Sequence, residues 1–265
     1  MTDWKLIEAA GFAVPADRTV AGLLPQLSAA PADPDPAVRD GAAYTVLDTW
    51  IERGVIPPPL RRSLGDEMAA RFAGPRVQAR TFAPLVLDML VTAGDFAPDW
   101  VTAFARWYPA EPDLRGHRPE PGWLHAVAHG ADLLATFGLH PEVAPERMLT
   151  LAAARLAAPT THVRAQLEGD RPARAIRRVL TRPDLTESQA VSWLVPLGER
   201  FRTGPDGPAM PVPAEYGNCL RTLCLLHLLA HRGVRARSEA PQCALRHREA
   251  VSTAVADTLD LMVRR

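Results

Sequence analysis

Two histidines and an aspartate recur at intervals of four and three residues in the stretch from Trp107 to Leu134, WYPAEPDLRGHRPEPGWLHAVAHGADLL: His125, His129 and Asp132. Wound as an α-helix, the three positions fall at about 0°, 40° and −20° around the axis, on one narrow face. Two imidazoles and a carboxylate on adjacent turns suit a divalent cation such as zinc, as paired histidines do in zinc enzymes. A cation so held lowers the pKa of a bound water, the chemistry of a metal-dependent hydrolase. The connection ahead of the helix adds Glu111 and Asp113, either one a general base or a further ligand. It also adds Arg115, suited to an anionic group on a substrate, and Trp123, which could wall the site. A plainer arrangement uses the same residues. His125 and His129 can be hydrogen-bonded in a buried polar seam between helices, with Asp132 orienting His129 or pairing with an arginine. The glutamate of H-E-x-x-H is missing, and the spacing leaves both arrangements open.

The elements that must position these side chains read as helices. Strand signals are nearly absent, with little alternation of apolar and polar residues and no Asn-Gly or Asp-Gly hairpin joining apolar runs. The 26 prolines cluster between periodic segments, around 31–36, 57–59, 109–121, 141–145 and 204–213, and so punctuate many helices. From Asp35 to Gly54 the reading is one helix. Asp35 caps it, Pro36 takes the first turn, Gly54 stops it, and Val38, Ala42, Ala43, Val46, Leu47, Trp50 and Ile51 form the buried stripe. Further helices are predicted at about 18–29, 60–73, 80–93, 97–108, 122–138, 145–157, 171–181, 186–202, 214–232 and 242–264. Taken in pairs they space at roughly 35 to 45 residues, the range of HEAT and armadillo units. The predicted fold is therefore a single all-α domain over 1–265, an irregular HEAT- or armadillo-like superhelix, with a compact helical bundle as the alternative.

Composition narrows the function classes. The chain has 265 residues with 30 basic and 30 acidic side chains, so no net positive field marks it as a nucleic-acid binder. Lys5 is the single lysine, so Schiff-base chemistry has one unpromising candidate near an end. The arginine excess reads as compositional bias, Arg115 apart. Cys219, Cys224 and Cys243 form no C-x-x-C pair and read as packed thiols in a reducing cytoplasm. No signal peptide and no long uncharged apolar run are present, so the expected protein is soluble and cytoplasmic, with no membrane partner. His227 and His231 repeat the four-residue spacing on an apolar helix and read as core or interface. Arg171, Arg174, Arg177, Arg178 and Arg182 read as a solvated face paired with nearby acids. The six tryptophans sit in helical stripes and read as core, except that Trp123 could line the site. No P-loop, dinucleotide fingerprint or nucleophile elbow occurs.

The run Glu111-x-Asp113-Leu114-Arg115-Gly116 followed by Gly122-Trp123-x-His125-Ala126-x-Ala128-His129-x-Ala131-Asp132 resembles the signature of a bacterial family, domain of unknown function 2785. The resemblance extends to Arg39-Asp40, Trp50-Ile51 and Arg80-x-Phe82, and covers about residues 35 to 180. It implies a HEAT-like helical fold, and it implies that Glu111, Asp113, Arg115, His125, His129 and Asp132 act together; it brings no activity. The chain departs from the pattern at Glu168-Gly169-Asp170-Arg171 and in the HRPEP connection before Gly122. Two functions stand as expectations. One is a metal-dependent, hydrolytic enzyme acting through these residues. The other is a helical-repeat binding or scaffold protein for a small molecule or peptide, in which the same cluster is structural.

Overall fold

The structure is a computed structural model that describes residues 2–118, 122–165, 168–203, 212–232 and 245–263. It is helical apart from one pair of two-residue strands. The chain forms two compact units, one of Met1–Trp107 with Arg115–Leu133, the other of Tyr108–Leu114 with Leu134–Arg265.

The first unit contains α1 (Trp4–Ala9), α2 (Val20–Ala29), a 3₁₀ turn (Ala30–Ala32), α3 (Pro36–Arg39), α4 (Ala42–Glu52), α5 (Pro58–Arg71), α6 (Val77–Thr92) and α7 (Pro98–Trp107). Strands β1 (His117–Arg118) and β2 (Gly122–Trp123) follow, and then α8 (Ala126–Leu139), whose residues through Leu133 belong to this unit. Helix α5 packs against α6 and α7, and α1 against α4. Trp50 and Trp100 are fully buried, and each satisfies its indole N–H, Trp50 on the Phe12 carbonyl at 2.8 Å and Trp100 on Asp66 Oδ1 at 2.7 Å. Gly65 lies against the face of Trp100, so closely that a Cβ there would overlap the ring. Bulky apolar side chains around two satisfied indoles thus make the core of this unit.

The second unit contains the rest of α8 and then α9 (Pro145–Ala157), α10 (Asp170–Val179), α11 (Glu187–Ser192), α12 (Val195–Thr203), α13 (Ala214–Arg232) and α14 (Arg248–Val263). Helix α13 packs on α14, α10 and α9, and α14 also meets α11 and α12. Thr186 and Gln189 close a reciprocal capping box on α11. Arg182, 9% exposed, grips Asp184 through Nε and Nη2 and donates Nη1 to the His140 carbonyl at 2.6 Å.

Several boundaries differ from the sequence reading. The helix expected over 35–54 is two helices. Asp35 and Pro36 start α3 as expected, with Asp35 Oδ1 accepting the Ala37 N–H at 2.9 Å, but the chain turns extended at Gly41 (φ −90°, ψ −162°). Val38 therefore falls out of phase with the stripe and is exposed. The helix expected over 186–202 divides between Ser192 and Val195, where Pro196 has no N–H to continue the ladder. Helix α1 and the β1–β2 pair were not anticipated. The arginine face is not uniformly solvated: Arg171, Arg174 and Arg178 are exposed, whereas Arg177 and Arg182 are buried. Cys219 is buried, its thiol pushed by burial up to about 12, but Cys224 is exposed rather than packed. Cys243 lies outside the described residues. Among the described residues no helix is long and apolar enough to cross a membrane.

Candidate functional site

The site grows from the break at Gly41. Because α3 stops there, Arg39 turns inward and is fully buried. Its Nη1 donates to the carbonyls of Asp33 and Pro34, both at 3.2 Å, and its Nη2 to Asp40 Oδ2 at 3.2 Å. The same guanidinium lies 4.6 Å from the centre of the Phe82 ring on α6. Asp40 and Phe82 are thus fixed around one cation. Tyr44, in the first turn of α4, lies beside them.

From the other side comes the β1–β2 pair, in register with His117 opposite Trp123 and Arg118 opposite Gly122. Gly122 has a φ of 82°, and a Cβ on it would come within 3.1 Å of Pro36 Cγ and 3.3 Å of Arg39 Nη2. Only a glycine lets the strand lie this close to α3. The Leu124 N–H donates to the Gly116 carbonyl at 3.1 Å, closing the turn into α8. His125 has a φ of 49°, and its ring stacks on Trp123 at 3.9 Å with an interplanar angle of 11°. Its carbonyl accepts the His129 N–H at 2.9 Å.

His129 is the best-defined group. It is 8% exposed, sits edge-on to Phe82 at 4.8 Å, and has its ring 5.3 Å from that of His125. Its Nδ1 is 2.8 Å from the Thr81 carbonyl. A carbonyl only accepts, so Nδ1 carries a proton, and in a neutral ring Nε2 would be the acceptor nitrogen. Thr81 lies within the turn of α6 that leads to Pro84, inside the helix. Proline lacks the N–H that would reach back four residues, which loosens the carbonyl ladder beside Thr81.

These groups enclose a cavity of about 230 Å³ lined by Asp40, Tyr44, Phe82, Leu85, Trp123, His125 and His129. Its field is acidic. The Tyr44 hydroxyl is pushed up to about 12, first by burial and then by Asp48, Asp88, Asp40 and Asp132. Asp48 is itself raised, by burial and by the carboxylates of Glu52 and Asp88. The cavity therefore combines a phenol that stays protonated, a carboxylate, two imidazoles and aromatic walls.

The residues expected from sequence are distributed as follows. Trp123, His125 and His129 line the cavity. Asp132 is half-buried on α8 and acts on Tyr44 through its charge, without lining the cavity. Arg115 is half-buried in the first unit. Glu111 and Asp113 belong to the second unit. There Glu111, 3% exposed, accepts the Asp113 N–H on Oε1 at 3.0 Å, and its carbonyl accepts Arg155 Nη1 at 3.2 Å. The helix expected to start near Gly122 starts at Ala126, because the extended pair takes Gly122 and Trp123 and His125 is left-handed. His125 consequently precedes the helix instead of sharing a helical face with His129 and Asp132. Among the described residues, no three His, Cys, Asp or Glu side chains converge as a cation's ligand set. Sequence reasoning left Asp40, Tyr44, Phe82 and Leu85 out of the site. The signal that could have found Asp40 and Phe82 is their place in the motifs Arg39-Asp40 and Arg80-x-Phe82. His227 and His231 stand elsewhere, their rings tilted and 4.6 Å apart, with His231 Nδ1 paired to Ser252 Oγ at 2.8 Å.

Residues 72–228 match the family described as "Protein of unknown function (DUF2785)". The match runs past residue 180 and leaves out Arg39-Asp40 and Trp50-Ile51. No curated protein and no solved structure matches the chain.

Proposed function

We propose, for a chain that belongs to the DUF2785 family of proteins of unknown function, that the first unit binds a small molecule in the cavity at His125 and His129. The observation that carries this reading is the cavity itself. Its volume of about 230 Å³ suits a compact ligand, and its lining joins aromatic walls to a few convergent polar groups. Trp123 and Phe82 supply contact area, the Tyr44 hydroxyl donates, and Asp40 and His129 Nε2 accept. With Nδ1 held on the Thr81 carbonyl, His129 is also oriented to take a proton from a bound molecule. In the same reading the helix pairs α5–α6 and α13–α14 are HEAT-like hairpins serving as a scaffold, each packed within its own unit.

A second reading rests on that same Thr81 bond. Metal-bound histidines characteristically give their other ring nitrogen to a carbonyl or carboxylate, so His129 and His125 would hold a divalent cation, with water or substrate completing the coordination. Hydrolysis by a metal-bound water belongs to this reading only.

Two measurements test the pair. A fragment screen followed by the His Cε1–H and Trp indole resonances of the full chain is expected to yield binders that shift Trp123, His125 and His129 together and lose their effect in His129→Ala. A folded chain whose three signals no fragment moves would remove the small-molecule reading. Elemental analysis of wild type beside His125→Ala and His129→Ala decides the cation: stoichiometric zinc lost in the variants supports it, and zinc retained in both sinks it.

A further inference from the structure

The second unit holds a different and unassigned cluster. The segment Thr160–Arg164 is stitched onto the first turns of α13. The Thr160 N–H donates to Glu215 Oε2 at 3.3 Å, Asn218 Nδ2 donates to the His162 carbonyl at 2.8 Å, and Asn218 Oδ1 accepts the Arg164 N–H at 2.9 Å. This fixes the backbone of Arg164, whose side chain is buried, with the residue only 4% exposed. A guanidinium carries five N–H donors, yet Nε and Nη1 of Arg164 are buried with no acceptor. Arg155, 2% exposed, gives Nη1 to the carbonyls of Tyr108 and Glu111 at 3.1 and 3.2 Å, and its Nε is likewise buried without an acceptor.

Two buried carboxylates lie nearby, Glu111 and Glu168. Glu111 Oε1 accepts the Asp113 N–H, and Glu168 Oε1 stands 3.7 Å from His162 Nε2. Arg155 and Arg164 repel one another, and the exposed Arg221 adds a third positive charge to a cluster that has two carboxylates, Glu111 and Glu168, in electrostatic reach. Burial pushes both buried guanidinium groups down, Arg155 to about 10. A fold does not hold such donors unpaired without a strong penalty. Three of their N–H donors, Arg155 Nε and Arg164 Nε and Nη1, have room for a partner that brings several acceptor atoms.

We propose that Arg164 and Arg155 form a buried receptor for a small oxyanion, either the carboxylate of an organic acid or inorganic phosphate, belonging to the second unit alone. The planar forks of the two arginines suit an oxygen pair on such an anion. Val163, next to Arg164 in sequence, lines a surface cavity of about 650 Å³ together with Thr160, Thr161 and Glu215.

The test uses the full chain. Ion chromatography of the acid-denatured protein reads any anion that co-purifies. Calorimetric titration of exhaustively dialysed protein, at constant ionic strength, then uses inorganic phosphate and acetate as probes. The expected result is about one equivalent of anion per chain, with tighter phosphate binding identifying a phosphate site and tighter acetate binding a carboxylate site. Arg164→Met should weaken binding at least about tenfold, while Arg174→Gln, at an exposed arginine paired with Asp170, should leave it unchanged. If Arg164→Met does not fold, Arg164→Lys, which keeps the charge but not the fork, takes its place with the same expected loss. Wild type that neither carries an anion nor binds either probe overturns the proposal, as does a folded Arg164 variant of undiminished affinity.

Discussion

Replacing Gly122 by alanine tests whether the strand beside α3 is held where it is by the absence of a side chain. Two separate penalties are expected. The φ of 82° is unfavourable for any L-residue, by roughly 1–2 kcal/mol. The added Cβ would also meet Pro36 Cγ at 3.1 Å and Arg39 Nη2 at 3.3 Å. Arg39 cannot yield, because it is fully buried and its Nη1 and Nη2 are already bonded to Asp33, Pro34 and Asp40. Overpacking against such a neighbour costs about 1–3 kcal/mol. Gly94→Ala provides the reference, since Gly94 has a φ of 96° and nothing within 4 Å of the added Cβ, so that only the backbone penalty applies. Urea denaturation of the two variants should therefore differ by about 1–3 kcal/mol, with Gly122→Ala the less stable and the slope unchanged. Gly122→Ala should also disturb Trp123, the next residue, and with it the fragment binding proposed above. Equal stabilities, within about 0.5 kcal/mol, would refute the close-approach argument.

Tyr44 gives a pH prediction. Its folded-state pKa of about 12 exceeds the ordinary value of 10.0, so the folded chain keeps a proton that the unfolded chain releases. The resulting stabilisation is complete below pH 10 and is lost as pH rises to 12; discounted for partial solvent contact it is about 2 kcal/mol. Ultraviolet difference titration of wild type against Tyr44→Phe should give a phenolate midpoint near 12, and a midpoint near 10 in folded protein would contradict the burial and charge argument. Gly65→Ala should be strongly destabilising, by about 3 kcal/mol or more in thermal unfolding, because the methyl would overlap the fully buried, hydrogen-bonded Trp100; near-wild-type melting would show that α5 and α7 can part without loss.

The helices were legible wherever punctuation was local. Pro145 starts α9 and the apolar run of α13 keeps its phase, so both lie where periodicity puts them. The breaks at Gly41 and before Val195 were not, because the apolar stripe runs on through each and only the backbone changes direction. Within the site, the spacing of His125 and His129 pointed to a polar pair, but their relation depends on a left-handed φ at His125 that no helical wheel contains. Asp40, Tyr44 and Phe82 were invisible as site residues for another reason. They lie some forty to ninety residues earlier in the chain and reach the histidines only through packing of the first unit's helices.

The left-handed backbone at His125 has an evolutionary side. Glycine or asparagine would occupy that φ of 49° with less strain, by an amount on the order of 1 kcal/mol. A library screened for thermal survival alone should therefore drift away from histidine at this position, whereas one screened for ligand capture should keep it. The chain spends stability there to hold an imidazole against Trp123, and residue 125 is where selection for endurance and selection for binding would part company.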